Sequence, residues 1–357
     1  MQRRWGLFIL LAALAALGAI AFAFRGDLAV TAFKRLAPRA MTADTIASLP
    51  DGLHVALCGT GSPLPDPRRS GPCTAVIAGD RLFVVDAGDG AARTLARMRL
   101  MPQHLNAVLL THFHSDHIDG LGALALQRWA GANASAPLPV HGPTGVERVV
   151  AGFNEAYALD SGYRIAHHGP DVVPPSGFGM QALPFALSGA SAVILDENGL
   201  RITAFRVNHT PVEPAVGYRF DYKGRSVVIS GDTARSANLE TVAHGADVLV
   251  HEALAPNLVA ILGQAARGSG REKLARIFHD IPSYHTTPRG AAASAEAAGV
   301  KALVLTHIVP ALPSPLLEPA FLDGARAGFS GPLWIGRDGD LISLPANATT
   351  MTRRNIL

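Results

Sequence analysis

The segment Thr111-His112-Phe113-His114-Ser115-Asp116-His117-Ile118-Asp119-Gly120 puts three histidines and an aspartate within six positions, directly after the apolar run Ala107-Val108-Leu109-Leu110. The run reads as a buried strand and the pattern from Leu121 onward as a helix, so the histidines occupy a strand-to-helix loop. In an extended segment residues i and i+2 point the same way, which lets His112 and His114 grip one cation. Where the loop turns into the helix, Asp116 and His117 face a second. Imidazole with carboxylate is the donor set of zinc, and it also suits iron and manganese. Any one of these histidines alone reads best as an ordinary core or surface residue; the cluster does not.

The chain has 357 residues, 48% of them apolar and 17% charged. That excludes intrinsic disorder for most of it and gives one large domain or two medium ones. Two cysteines exclude a miniature fold built on disulfides. With 31 basic against 28 acidic residues, and no basic run longer than a pair, the charge argues against a dedicated nucleic-acid surface. Trp5 to Phe24 is a stretch of 20 residues without a charge, preceded by Arg3 and Arg4. As a helix it spans roughly 30 Å, the hydrocarbon thickness of a bilayer. Residues 1–24 therefore read as a retained N-terminal membrane anchor, with a cleaved signal peptide as the rival. Either way the catalytic part is expected outside the cytoplasm, in a periplasm where the source has two membranes. Residues 25–50 read as a linker with one weakly amphipathic stretch, Leu28 to Leu36, expected at a membrane surface; 51–345 read as the globular domain and 346–357 as a tail. Within the domain, 131–200 read as an irregular insertion or lid bearing one helix (145–157). Short apolar strands cluster early and again after residue 200, with helices interleaved. This predicts an α/β fold of two face-to-face sheets with helices outside, an αββα sandwich.

Further donors end other apolar stretches: His209 in Val207-Asn208-His209-Thr210-Pro211, Asp232 in Ser230-Gly231-Asp232-Thr233, His307 in Leu305-Thr306-His307-Ile308, and Asp86 in Val84-Val85-Asp86-Ala87-Gly88. With the pattern His112-x-His114-x-Asp116-His117, these motifs resemble those of the metallo-β-lactamase superfamily over roughly residues 53–345, and Cys58-Gly59-Thr60-Gly61-Ser62-Pro63 looks like its first loop. The resemblance implies that His112, His114 and His209 hold one divalent ion, that Asp116, His117 and His307 hold a second, and that Asp232 bridges both. Asp86 braces the loop from behind. Zinc is the expected metal, with iron and manganese suited to the same donors. A water between the two ions would lose a proton near neutral pH and act as the nucleophile, oriented by Asp116. The run Tyr284-His285-Thr286-Thr287-Pro288 resembles the ribonuclease Z and arylsulfatase-like branch, which implies that His285 is the general acid.

The ligand set does not separate phosphorus, sulfur and carbonyl centres. His209 and Asp232 lie 23 residues apart, too few for the long arm with which tRNA-processing members of the branch clamp tRNA. An extracytoplasmic address would also remove access to tRNA. The expected function is therefore a dinuclear metal-dependent hydrolase of small phosphodiester or sulfate esters, of arylsulfatase or cyclic phosphodiesterase type, with no nucleic acid as partner. A lactonase or other carbonyl-ester hydrolase is the alternative. Ribonuclease Z-type tRNA 3′ processing and a non-catalytic anchored binding protein rank below it. Arg164 in the insertion is a candidate to hold the anionic group bidentately, with a surface salt bridge as the competing reading. A homodimer accords with the superfamily. His251-Glu252 ends another strand near the site, with supporting and purely structural roles equally open. Cys58 and Cys73 bracket a loop of roughly 15 residues, for which a disulfide and two buried thiols fit equally.

Overall fold

The computed structural model describes residues 2–132 and 134–357. The chain divides into two compact units between Asp44 and Thr45.

The first unit holds two helices, α1 (Gln2–Ala23) and α2 (Arg25–Thr42). Among the described residues no single helix is long and apolar enough to cross a membrane; Leu10–Ala23 and Arg25–Thr42 pass that test only as a pair, bent by 69°. The membrane anchor expected over 1–24 is therefore not supported, and the linker expected over 25–50 is corrected, since most of it is helical. Residues 25–42 are an 18-residue helix, because Ala, Leu, Lys and Arg supply most of the segment and all are strong helix formers.

The second unit is built on two sheets. The strands β1 (Gly52–Gly59), β2 (Cys73–Ala78), β3 (Arg81–Val85), β4 (Leu105–Leu109), β5 (Leu138–Pro143) and β6 (Met180–Phe185) lie in the first. The second contains β7 (Ser191–Glu197), β8 (Leu200–Arg206), β9 (Val216–Tyr222), β10 (Arg225–Ile229), β11 (Val248–Leu254), β12 (Ala302–Val309) and β13 (Leu333–Ile335). The chain then returns to the first sheet with β14 (Asp340–Pro345) and β15 (Thr352–Asn355). The orders are β15-β14-β1-β2-β3-β4-β5-β6 and β13-β12-β11-β10-β9-β8-β7. Alternation along β1 shows why the sheets stack: Leu53, Val55 and Leu57 join Phe83, Tyr218, Phe220 and Val250 between the sheets, while Ala56 and Cys58 join the opposite cluster. That outer cluster includes Ala91 and Leu95 of α3 (Ala91–Arg97) and Leu121 and Leu124 of α5 (Leu121–Ala132), which follows the one-turn α4 (Ser115–Ile118). On the far face α8 (Ala237–Val242) and α11 (Pro288–Ala298) cover the second sheet. Full burial of each large apolar side chain stabilises by about 1.5–3 kcal/mol.

The layering brings distant sequence to one rim. Strands β10, β11 and β12 are parallel, and β8 runs with them because β9 is antiparallel to both β8 and β10. Their C-terminal ends therefore share an edge, as do those of the parallel pair β3 and β4.

Three segment readings differ from the structure. Residues 131–200 do not stand apart as a lid: β5 and β6 extend the first sheet and β7 the second, with α6 (Val146–Ala156) and α7 (Ala158–His168) between. Pro139 and Pro143 on β5 and Pro184 on the edge strand β6 mask a strand pattern. Residues 346–357 are not a free tail, since Thr352–Asn355 pairs with β14. The helical stretch 256–277 is two helices, α9 (Pro256–Gly268) and α10 (Glu272–Asp280).

Candidate metal centre

The rim gathers every donor the motifs single out. His112, His114, His209 and Asp232 present one ligand atom each within 4.8 Å of one another, and so do Asp116, His117 and His307. Asp232 Oδ2 is the hub: His117 Nε2 and His307 Nε2 lie 3.3 Å from it, His112 Nε2 3.9 Å and His209 Nε2 4.0 Å. Asp116 Oδ2 lies 3.3 Å from His307 Nε2 and 3.6 Å from His117 Nε2. His112 Nε2 and His114 Nδ1 approach to 3.0 Å.

Groups behind the cluster set which nitrogen of each ring faces it. Asp86 Oδ1 accepts from the Thr111 backbone N–H at 2.8 Å, and its Oδ2 accepts from Thr111 Oγ1 and from His117 Nδ1, each at 2.8 Å. With Nδ1–H donated backward, His117 keeps the Nε2 lone pair for the centre. His209 does the same through the Tyr284 carbonyl at 3.0 Å, and His112 Nδ1 donates to Thr111 Oγ1 at 3.0 Å. The strand-to-helix loop makes this geometry: His114 ends extended backbone and α4 begins at Ser115.

The electrostatics call for cations. Burial pushes His112 well below the usual histidine range, with the neighbouring His117 adding to the effect, and burial also lowers His114 and His209. These three rings are neutral donors. Burial opposes the Asp232 carboxylate, yet His307 and His117 outweigh it and hold Asp232 well below the carboxylate range. Conversely, burial opposes protonation of His117 and His307, but Asp232 together with Asp86 or Asp116 outweighs it and raises both. Buried His117 Nε2 has no hydrogen-bond partner. Three neutral imidazoles, His112, His114 and His209, beside the buried Asp232 carboxylate, with the orphaned His117 nitrogen among them, suit a dinuclear metal site.

His285 adjoins the cluster, with a ring nitrogen within 4.8 Å of ligand atoms of Asp232 and His307. Its Nδ1 donates to Glu252 Oε1 at 2.9 Å. The same oxygen accepts the backbone N–H groups of Thr233 at 3.0 Å and Thr286 at 3.2 Å. Burial opposes a charge on His285, but Glu252 outweighs it and the ring is raised to about 9. The two residues of the His251-Glu252 pair therefore separate: Glu252 faces the site, while His251 bonds the Glu252 carbonyl at 2.7 Å. Arg164 is ion-paired to Asp160 on its own helix at 2.7 Å.

The sequence marked residues 59–72 as a loop but did not reveal that Asp338 ties it down as a strap. Asp338 Oδ1 accepts from the Thr60 N–H at 2.9 Å and its hydroxyl at 2.8 Å, and Oδ2 accepts from the Ser70 N–H at 2.7 Å. The Thr60 carbonyl in turn accepts from Ile308 N at 3.0 Å, and the Pro72 carbonyl from Gly88 N at 2.9 Å. The strap thus holds the chain on both sides of the cluster. Its base is closed by a disulfide between Cys58 and Cys73. Cys73 lines a cavity of about 20 Å³ with Asp86, His117, Asp232 and His307. Nothing local in Arg337-Asp338-Gly339 marks this role in the sequence.

The sequence model of the beta-lactamase superfamily domain matches residues 81–308, and the chain belongs to that superfamily. Within it, the chain is 40% identical over 288 residues to the Ribonuclease Z of Mycobacterium bovis BCG, covering 80% of this chain and 96% of the relative. It is 38% identical to the Ribonuclease Z of Mycobacterium avium over the same shares. The solved structure of human tRNase Z, short form, shares the fold with a TM-score of 0.59 at 20% identity, over 82% of this chain and 99% of that one.

The Ribonuclease Z relatives overturn the expected specificity for small phosphate or sulfate esters, and with it the expectation of no nucleic-acid partner. The short His209–Asp232 connection is the plain hairpin of β9 and β10, joined by a turn at Lys223 and Gly224. It bears on how an RNA is clamped and is silent on which bond is cut.

Proposed function

We propose that the protein is a ribonuclease Z-type enzyme that hydrolyses a phosphodiester bond of RNA, with tRNA as the substrate class. One observation carries this reading: a donor set closed around Asp232 in a chain that matches a Ribonuclease Z over 96% of that protein's length. His112, His114 and His209 would hold one ion, Asp116, His117 and His307 the other, and Asp232 both. Zinc is the proposed metal, on the strength of the histidine-rich donors. When bound, the pair supplies Lewis acidity to a phosphoryl oxygen and acidifies water.

The chain's own groups do the rest. Asp116 Oδ2, on the rim of the cluster, orients the attacking water toward phosphorus. Glu252 fixes His285 through Nδ1, which leaves Nε2 to deliver a proton to the oxygen released as the P–O bond breaks. Asp86 fixes Thr111 and His117, and the strap fixes the backbone at Gly88 and at Ile308 next to His307.

The test is side-by-side turnover of a tRNA precursor, bis-p-nitrophenyl phosphate and p-nitrophenyl sulfate by zinc-loaded protein. Cleavage of the precursor is expected; metal-loaded protein that leaves RNA intact would overturn the reading.

A further inference from the structure

The helix α2 carries an apolar face that nothing in its own unit covers. At roughly 100° per residue, Leu36, Phe33, Val30 and Met41 fall in one arc of about 140°, with alanines between them and no charge inside it. Phe33 is 71% exposed and Met41 78%, and α2 buries no residue. A soluble surface rarely leaves so many large apolar side chains together.

The charges frame this face. Arg25, Lys34, Arg35 and Arg39 stand against Asp27 alone, so the helix is +3. On the same helical projection Arg25 borders one edge of the arc, Lys34 borders the other, and Arg35 and Arg39 lie on the opposite side. Long basic side chains at the margins of an apolar face reach outward to phosphate while their stems stay on the apolar side. Immediately before α2, the apolar Leu10–Ala23 part of α1 meets it at 69°. One helix can therefore enter an acyl layer while the other follows its surface. A second copy of the chain would set basic margin against basic margin, which like-charge repulsion disfavours.

We infer that α2 is a membrane-surface helix that lies in the headgroup layer of a bilayer containing anionic phospholipid. Its Val30–Phe33–Leu36–Met41 arc faces the acyl chains, Arg25 and Lys34 at its margins face the lipid phosphates, and Arg35 and Arg39 on the outer side add long-range attraction to the anionic surface. Each basic residue contributes on the order of fivefold in affinity for an anionic surface, and salt weakens that share. This inference does not rest on the ribonuclease reading.

The test uses the full chain with an environment-sensitive fluorophore on a single introduced thiol. Phe33→Cys places it mid-arc and Thr31→Cys on the opposite face; Cys58 and Cys73 are bonded to each other and do not compete. Vesicles of phosphatidylcholine with phosphatidylglycerol should give a several-fold, blue-shifted rise at position 33 and little change at 31. Phosphatidylcholine alone, high salt, or Arg35→Glu with Arg39→Glu should each reduce the response. Equal responses at both positions would overturn the in-plane placement. A dark or already shielded probe at 33 before vesicles are added, deepening with protein concentration, would assign the face to a second copy instead. Hydrolysis by all variants should be unchanged, so loss of lipid response and loss of activity are read separately.

Discussion

Asp86→Asn is the most informative single change near the centre. The side chain is 4% exposed, and its two oxygens accept three hydrogen bonds of 2.8 Å each. An asparagine is nearly isosteric and tolerates the left-handed backbone at this position (φ 57°), so the fold should survive. Yet the amide has one acceptor oxygen where two are needed. If that oxygen faces the Thr111 N–H, the amide nitrogen faces His117 Nδ1 and donates to it. The His117 proton then moves to Nε2, the atom that faces Asp232, and the lone pair for the ion is lost. If the amide is reversed, its nitrogen meets the Thr111 N–H donor to donor, which costs about 1–3 kcal/mol of stability. Disturbing a group that orients a metal ligand typically lowers affinity 10- to 100-fold, or about 1.4–2.7 kcal/mol. Competition with a chromogenic chelator should show one of two ions weakened by that factor, the one assigned to Asp116, His117 and His307. Two ions held as tightly as in the unaltered protein would refute the reasoning, as would equal loss of both from a chain that remains folded.

Replacing His285 with alanine should slow poor leaving groups 100- to 10,000-fold while hardly affecting p-nitrophenolate release; equal losses in a leaving-group series would remove its role as acid. Cys58→Ser with Cys73→Ser opens a loop of sequence separation 15, so urea unfolding of metal-loaded protein should show a loss of about 3 kcal/mol, whereas no shift would mean the strap is held without the bond. Chelation should abolish hydrolysis and lower the thermal midpoint, because the ions bind only the folded state, and added zinc should restore both; retained hydrolysis after chelation would rule out metal dependence.

How far the chain could be read in advance depended on how local each signal was. The His112–His117 loop carries its chemistry in adjacent residues, and the other donors each close an apolar strand, so the cluster of seven was visible as a pattern. Glu252 was ambiguous because only strand alternation, visible in the structure, turns it toward His285 and His251 away. Asp338 was invisible, since its partners Thr60 and Ser70 are more than 250 positions distant. The strands of 131–200 were read as a lid because proline and half-exposed positions blur their period, and within the linker read over 25–50 only Leu28 to Leu36 stood out as amphipathic, although Gly26 and Pro38 fall inside the helix. Substrate class was misread for a different reason. The donors act on any electrophilic ester centre, so the missing arm was given weight that belongs to substrate grip alone.

The most direct measurement is the anomalous difference density of zinc-loaded crystals at the metal edge. Two peaks flanking Asp232 Oδ2, one among His112, His114 and His209 and the other among Asp116, His117 and His307, are the predicted result. A single peak, or density away from Asp232, would contradict it.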